Sequence, residues 1–351
     1  MKITKTKSPK QKPDYTKLGF GKHFTDHMLI MDYKDGAWQD AEIVPYAPFA
    51  MDPSTMVLHY AQGLFEGLKA YKNKAGRITL FRPTENIARM NRSAERLCMP
   101  QLPNDKVLTG LKELVKTDAD WIPTEAGTSL YIRPTYMGTD AMLGVHPSHS
   151  YRFFIILSPV GSYYAAGLKP VKILVEEKYV RAVPGGTGEA KCIGNYAASL
   201  IAGEAAEKRG YAQALWLDGV ERKYIEEVGA MNIFFVIGGT VVTPKLSGSI
   251  LPGITRKSAI EVLKKDGYKV EERRITIDEV VSAHKDGSLS EVFGTGTAAV
   301  ISPVGVLGVG GKDLVINGNE MGPVADALYK RITDIQYGRA KDEFGWVEEV
   351  K

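Results

Sequence analysis

The way strand-like segments follow one another constrains this chain most. Strand-like segments near residues 213 to 217, 222 to 226 and 231 to 237 succeed one another with no helix between them, while amphipathic helical stretches separate others. That pattern predicts an α+β fold rather than a doubly wound parallel sheet. Ile78 to Arg82 reads as a strand. Pro83 at the next helical turn opens a helix with Ile87, Met90, Ala94 and Leu97 on one face and Arg89 off that stripe. A second helix, about Asp105 to Thr117, carries Val107, Leu111, Leu114 and Val115. Ser129 to Tyr136 alternates, with Leu130, Ile132 and Pro134 on one face and Tyr131, Arg133 and Thr135 on the other. An aromatic ring and a guanidinium on one strand face make either a wet outer surface or the wall of a polar pocket, and the alternation leaves both open.

Tyr151 to Leu157 is a further strand, followed by Gly161-Ser162-Tyr163-Tyr164-Ala165-Ala166-Gly167, which reads as a linker. Beyond it come strands near 171 to 176 and 290 to 293 and helices near 193 to 209, 253 to 266, 277 to 285 and 322 to 336. The expected organisation is a mobile basic tail over 1–17, a smaller N-terminal α/β domain over 18–160, a linker over 161–168 and a larger C-terminal domain over 169–351. At 351 residues, 44% hydrophobic and 25% charged, the composition is that of an ordinary globular protein with room for two cores.

The formal charge of +4 is concentrated at one end. Lys2, Lys5, Lys7, Lys10, Lys12 and Lys17 face only Asp14 within the first seventeen residues, so the rest of the chain is close to neutral. A nucleic-acid binder needs a basic face on the folded part, so no nucleic-acid partner is expected. No run of eighteen apolar residues occurs, which excludes a membrane-spanning helix from the expectations and makes the cytosol the default address. Cys98 and Cys192, the only cysteines, fit neither a disulfide framework nor a zinc-ligand spacing, and no metal site is expected.

Gly185-Gly186-Thr187-Gly188-Glu189-Ala190-Lys191 superficially resembles a phosphate loop, but Lys191 lies between Ala190 and Cys192 instead of preceding a serine or threonine, as a Walker A requires. What remains is a glycine-rich approach to one lysine among small and apolar residues. It is either an amine nucleophile suited to a Schiff base or an ordinary loop lysine. Three other segments bear on that choice. Glu227 stands at the junction of two apolar strands, where burial demands a cation such as a protonated pyridine nitrogen. Leu251-Pro252-Gly253-Ile254-Thr255-Arg256 leads into an amphipathic helix and offers its N-terminal N–H groups to an anion. Gly294-Thr295-Gly296-Thr297 makes a second small, donor-rich turn. One lysine, one acid and two phosphate-type turns together describe a pyridoxal phosphate pocket.

These residues belong to a wider set of blocks, including Phe20-Gly21-Lys22-His23-Phe24, His59-Tyr60-Ala61-Gln62-Gly63-Leu64-Phe65-Glu66-Gly67, Phe81-Arg82-Pro83, Tyr131-Ile132-Arg133-Pro134, Gly194-Asn195-Tyr196 and Glu227-Val228-Gly229-Ala230-Met231-Asn232. In that order they resemble the branched-chain amino-acid aminotransferases of the class IV, D-alanine aminotransferase-like fold. The resemblance runs from about Phe20 to the C-terminus and implies a small α/β domain and a larger domain with a pseudo-barrel core. It also implies pyridoxal 5′-phosphate as cofactor, with Lys191 as its covalent anchor and as the group that shuttles the substrate proton. Glu227 would face the pyridine nitrogen, and Tyr196 the ring's phenolate oxygen. Arg89, Ile254, Thr255 and Thr297 would hold the phosphate. Phe20, Tyr60, Phe65, Tyr131 and Tyr163 would form aromatic substrate walls, and Arg133 would assist the second carboxylate of glutamate. Ala230 and Ala298 would lie near the substrate α-carboxylate. Leu143-Gly144-Val145 would reach the partner subunit of a homodimer.

Two departures stand out. Ala299 and Ser302 occupy the places of a redox-sensing cysteine pair found in mammalian relatives, and Ala230 replaces a threonine. The resemblance implies reversible ping-pong transfer of an amino group between L-leucine, L-isoleucine or L-valine and 2-oxoglutarate. The alternatives are a D-amino-acid aminotransferase or an aminodeoxychorismate lyase of the same fold and, from another class, a non-catalytic anion-binding protein using the basic tail.

Overall fold

The computed structural model describes residues 1–73, 75–161 and 168–351. Most of the expected linker, Tyr163 included, lies outside the described residues. The chain divides into two compact units. The first comprises Met1–Ala165, Ala190–Ile193 and Ile335–Lys351, and the second Ala166–Glu189 and Gly194–Asp334. This differs from the expected division in two ways. The Lys191 segment and the C-terminal strand Val347–Val350 join the N-terminal unit, which is therefore not the smaller one. Glu349 and Val350 pair antiparallel with Thr79 and Ile78, a contact between distant parts of the chain that no local pattern announces.

Ten strands of the first unit form one sheet. Its main path runs Lys2–Ile3, Glu42–Pro45, His27–Lys34, Tyr151–Val160, Ser129–Gly138, Leu68–Lys72, Ile78–Phe81, Val347–Val350. Ser129–Gly138 is the strand whose alternation the sequence displayed, and it is paired on both edges, with Tyr151–Val160 and with Leu68–Lys72 and Gly63–Phe65. That central position decides between the two readings of its polar face. Tyr131 is buried and Arg133 half-buried, so the face is enclosed. The opposite face carries Leu130 and Ile132 into a core shared with Ile87, Met90 and Ala94 of the helix Pro83–Arg96 and with Val107, Leu111 and Leu114 of Asn104–Thr117. Burial of each large apolar side chain there is worth about 1.5–3 kcal/mol.

The second unit holds a mixed nine-stranded sheet in which Val171–Glu176 runs parallel to Gln213–Leu217 and to Val300–Val309, while Asn232–Ile237, Leu289–Gly296 and Val300–Val309 are successive antiparallel neighbours. The expected helix from 193 to 209 is broken at Ser199 into Ile193–Ala198 and Leu200–Lys208. The other three helices fall within two residues of expectation, at Ile254–Lys265, Ile277–Lys285 and Pro323–Gln336.

The basic N-terminal segment is not a mobile arm. Lys2–Ile3 adds a parallel edge strand to Glu42–Pro45, and Thr4 N–H donates to Ile43 O at 2.8 Å. Further on, Thr6 N–H donates to His27 Nε2 at 2.9 Å, and His27 Nδ1 lies 2.6 Å from Asp118 Oδ1. Because Nε2 accepts, the ring proton sits on Nδ1 and points at the carboxylate. Lys10 lies 4.0 Å above the Tyr46 ring and donates to the carbonyls of Phe24 and Thr25. Distant backbone carbonyls thus replace, for Lys10, the water that a charge count alone would assign to it. Replacing His27 with Ala strips a buried partner from Asp118 and an acceptor from Thr6. Urea titration should show a loss of about 3 kcal/mol with unchanged m-value, and a loss below about 0.5 kcal/mol would show that His27 does not hold the arm.

Candidate active site

In the first unit, Lys191 is fixed by its backbone before its side chain acts. Its N–H donates to Ser93 Oγ at 3.0 Å, its carbonyl accepts Phe65 N–H at 3.1 Å, and the next residue, Cys192, bridges Leu64. The glycine-rich approach thus ends clamped between the helix Pro83–Arg96 and the strand Gly63–Phe65. The Nζ lies 4.7 Å above the Phe65 ring. Desolvation and the like charge of Arg89 outweigh the pull of Glu66, lowering the Lys191 pKa from the usual 10.5 to about 8.

Glu66 and Arg89 form a buried bidentate pair, Nε to Oε1 at 2.7 Å and Nη2 to Oε2 at 2.8 Å. Asn86 Nδ2 adds a third bond to Oε2 at 2.8 Å. Burial opposes ionisation of Glu66, but the charge and hydrogen bonds of Arg89, the charge of Lys191 and the Asn86 bond prevail and hold its carboxyl below the usual carboxylate range. Sequence reasoning did not single out Glu66. Its partner is 23 positions away and off the apolar stripe, so the only available signal was an acid between Phe65 and Gly67.

The aromatic residues expected to line a pocket assemble around this group in part. Phe20 meets Tyr131 edge-on at 4.9 Å between ring centroids, and Arg133 donates to Tyr131 Oη at 3.1 Å while lying 4.7 Å from the Phe65 ring centroid. A Cβ at Gly67 would sit 2.1 Å from Tyr131 Oη, so only glycine lets that hydroxyl approach. Arg133 Nε is buried without a hydrogen-bond partner among the described residues. Tyr60 accepts Gly144 N–H at 3.0 Å, tying it to the loop that carries Leu143 and Val145.

The second unit presents its own group. Glu227 Oε1 accepts Leu251 N–H at 2.6 Å and meets Arg181 Nη2 at 3.2 Å, so the buried acid does have a cation beside it, one that the sequence pattern had not singled out. Neighbouring Glu226 accepts the Ser249 hydroxyl, and burial raises its pKa above the ordinary value. Asn232 Nδ2 donates to Leu251 O at 3.0 Å, and a Cβ at Gly253 would come within 2.0 Å of Asn232 Oδ1. Gly253 then opens the helix Ile254–Lys265 without a capping side chain, leaving Ile254 and Thr255 in its first turn.

Thr297 and Ala298 occupy the tight turn between Leu289–Gly296 and Val300–Val309, where Val300 has φ +63°, an unusual conformation for a β-branched residue. Thr295 Oγ1, at the entry to this turn, is buried with no hydrogen-bond partner among the described residues. Ala230 is exposed in the turn before Asn232–Ile237, and Tyr196 is half-buried in Ile193–Ala198. In the first unit an amine with a lowered pKa suits reaction with an aldehyde, and in the second an uncapped helix start suits an anion.

The family profile for amino-transferase class IV matches residues 63–306. The chain is 58% identical over 351 residues to branched-chain-amino-acid aminotransferase 2 of Bacillus subtilis, covering 100% of this chain and 96% of that protein. It is 56% identical to branched-chain-amino-acid transaminase 1 of the same organism, covering 99% and 98%. Among solved structures, the Escherichia coli branched-chain amino acid aminotransferase superposes with TM-score 0.77 at 27% identity, over 93% of this chain and 99% of that one. A T.th. branched-chain amino acid aminotransferase with pyridoxamine 5′-phosphate gives 0.78 at 28%, over 94% and 100%. The chain belongs to the class IV aminotransferases and, within them, to the branched-chain amino-acid aminotransferase family.

Two expectations follow from the geometry. A lowered pKa means that the Lys191 amine sheds its proton as pH rises through about 8 instead of 10.5. Reductive methylation of the cofactor-free protein, followed residue by residue by mass spectrometry, should label Lys191 with a midpoint near pH 8, and a midpoint near 10.5 would remove the argument for an activated amine. Gly253→Ala should drive Asn232 off Leu251 and weaken cofactor binding by roughly tenfold or more in fluorescence titration, about 1.4 kcal/mol.

Proposed function

We propose that Lys191 is the catalytic residue of a reversible, ping-pong transfer of the amino group between L-leucine, L-isoleucine or L-valine and 2-oxoglutarate. The observation that carries this reading is the Lys191 amine, clamped by Ser93 and Phe65 and brought to a pKa of about 8 beside Glu66 and Arg89. At pH 7.5 about a quarter of such amines are unprotonated, against about one in a thousand for an ordinary lysine. Pyridoxal 5′-phosphate supplies an aldehyde that exchanges amines and a ring that takes up the electrons of the Cα–H bond. Lys191 holds the cofactor and then moves the proton between the substrate Cα and the cofactor C4′, acting as anchor and as general acid and base.

Arg89, Ile254, Thr255 and Thr297 hold the phosphate in this reading. Arg89 is itself held by Glu66, so the guanidinium is oriented before any anion arrives. Glu227 keeps the pyridine nitrogen protonated, and Tyr196 bonds the phenolate oxygen. Phe20, Tyr60, Phe65, Tyr131 and Tyr163 wall the substrate side chain, with Ala230 and Ala298 near its α-carboxylate. The unpartnered Nε of Arg133 supports a role in receiving the second carboxylate of glutamate, set among rings that suit a branched aliphatic chain. Leu143 and Val145, 66% and 88% exposed, support a homodimer in which this loop reaches the partner's site. No helix among the described residues is long and apolar enough to cross a membrane, and we place the protein in the cytoplasm.

The test of the catalytic assignment is Lys191→Ala. Turnover of L-leucine with 2-oxoglutarate should fall by at least about a thousandfold, and borohydride should no longer fix the cofactor to the chain. Near-normal turnover in that variant overturns the assignment. Arg133→Gln should raise KM for 2-oxoglutarate by roughly ten- to a hundredfold, about 1.4–2.7 kcal/mol, and change that for L-leucine by less than threefold. Equal effects on both substrates would give Arg133 a general structural role.

A further inference from the structure

A cluster remote in sequence from Lys191 carries chemistry that the transamination reading does not use. Asp140, His146 and His149 lie on the segment between the strands Ser129–Gly138 and Tyr151–Val160, all in the first unit. Each presents one ligand atom within 4.8 Å of those of the others. The base of the segment is built rather than loose. Asp140 N–H donates to Ser148 Oγ at 3.1 Å, Ser148 Oγ donates to Ser150 O at 2.7 Å, and Asp140 O accepts Met56 N–H at 2.9 Å. The Asp140 carboxylate is aimed by Ser150 N–H and Oγ on Oδ1 and by His149 N–H on Oδ2.

The tautomer of His146 follows from its neighbour. Nδ1 lies 2.8 Å from Pro147 O, which only accepts, so Nδ1 carries the hydrogen and Nε2 the lone pair. That Nε2 is buried and finds no hydrogen-bond partner among the described residues. The His149 ring stands 5.4 Å from the His146 ring, and its Nδ1 is 2.8 Å from Asp140 Oδ2. A carbonyl fixing one imidazole, a hydrogen-bonded carboxylate and a second imidazole on one short loop match the outer arrangement that ligating histidines and carboxylates show around metals.

We propose that Asp140, His146 and His149 form a binding site for a divalent transition-metal ion of the Zn²⁺ class. Two imidazole nitrogens and one carboxylate oxygen favour such an ion over Mg²⁺ or Ca²⁺, which seek oxygen. Bonds of about 2.0–2.1 Å in a tetrahedron set ligands roughly 3.3 Å apart, so the widest separation closes by up to about 1.5 Å on binding. His149, with its side chain 80% exposed, is the member free to move. Water completes the coordination. The ion ties Asp140 to His149 across a segment whose tip carries Met142, Leu143 and Val145, and thereby stiffens that tip. Cysteine spacing excluded thiolate zinc sites, whereas these ligands are imidazole and carboxylate.

The simpler arrangement is an ion pair between Asp140 and His149 with no metal, and the test separates the two. Untagged holoenzyme is dialysed against Zn²⁺, and bound metal and thermal midpoint are measured for wild type, His146→Gln, His149→Gln and the double variant. The expected result is one saturable Zn²⁺ per chain that raises the midpoint of the wild type, at least tenfold weaker binding in each single variant, and no saturable binding in the double variant. Millimolar Mg²⁺ should not displace the ion. His149 is exposed, so its replacement is compatible with an intact fold, checked by circular dichroism and by the metal-free midpoint. Wild-type uptake no greater than that of the double variant, unchanged affinity in His146→Gln, or displacement by Mg²⁺ overturns the proposal.

Discussion

The buried pairing of Glu66 with Arg89 is the interaction around which the Lys191 environment is organised. Three cations, Lys191, Arg89 and Arg133, bear on one another there, and Glu66 is the carboxylate set against them. One acid against three bases leaves a positive excess. Burial first, and then the like charge of Arg89, make Lys191 lose its proton easily, and the same excess of cations favours an anionic ligand. Removing the Glu66 carboxylate would strip the buried Arg89 guanidinium of its bidentate partner, which is far costlier than losing an exposed ion pair. The backbone clamps on Lys191 matter for the same reason, since an amine held at fixed distance from these charges has a defined proton affinity.

Legibility in the sequence followed the range of the interactions. The helix Pro83–Arg96 and the alternation of Ser129–Gly138 were readable because proline placement and side-chain period act within a few residues. Lys191 and Glu227 stand out by residue type, whereas Gly294-Thr295-Gly296, expected as a turn, ends the strand Leu289–Gly296, with the turn following it. What could not be read depended on distant partners. The assignment of Ala190–Ile193 and Val347–Val350 to the first unit, the Arg181 partner of Glu227 and the ordering of the lysine-rich N-terminus all rest on bonds between segments far apart in the chain. A charge count described the first seventeen residues as solvated, whereas Thr4, Thr6 and Lys10 use backbone and side-chain groups of the first unit.

The glycines divide in the same way. A glycine before a helix signals an anion site only weakly, because most such glycines serve the turn. Gly253 is different because a side chain there would collide with Asn232 Oδ1, and Gly67 because it would collide with the Tyr131 hydroxyl. In both cases the absent Cβ lets a polar group approach the backbone, a reason that emerges only once the approaching atom is known.

Buried carboxylates show how partners, rather than burial alone, set chemistry in this fold. Glu66 and Glu226 are both almost wholly inaccessible, yet the first is held below the ordinary range by Arg89 and the second is raised above it. Glu226 has a serine hydroxyl and the nearby acids Glu227 and Asp218, with Arg181 only partly compensating. The donors to Glu227, Leu251 N–H and Arg181, suit a carboxylate. Two adjacent glutamates on one strand thus meet different partners, a hydroxyl for Glu226 and a backbone N–H and a guanidinium for Glu227.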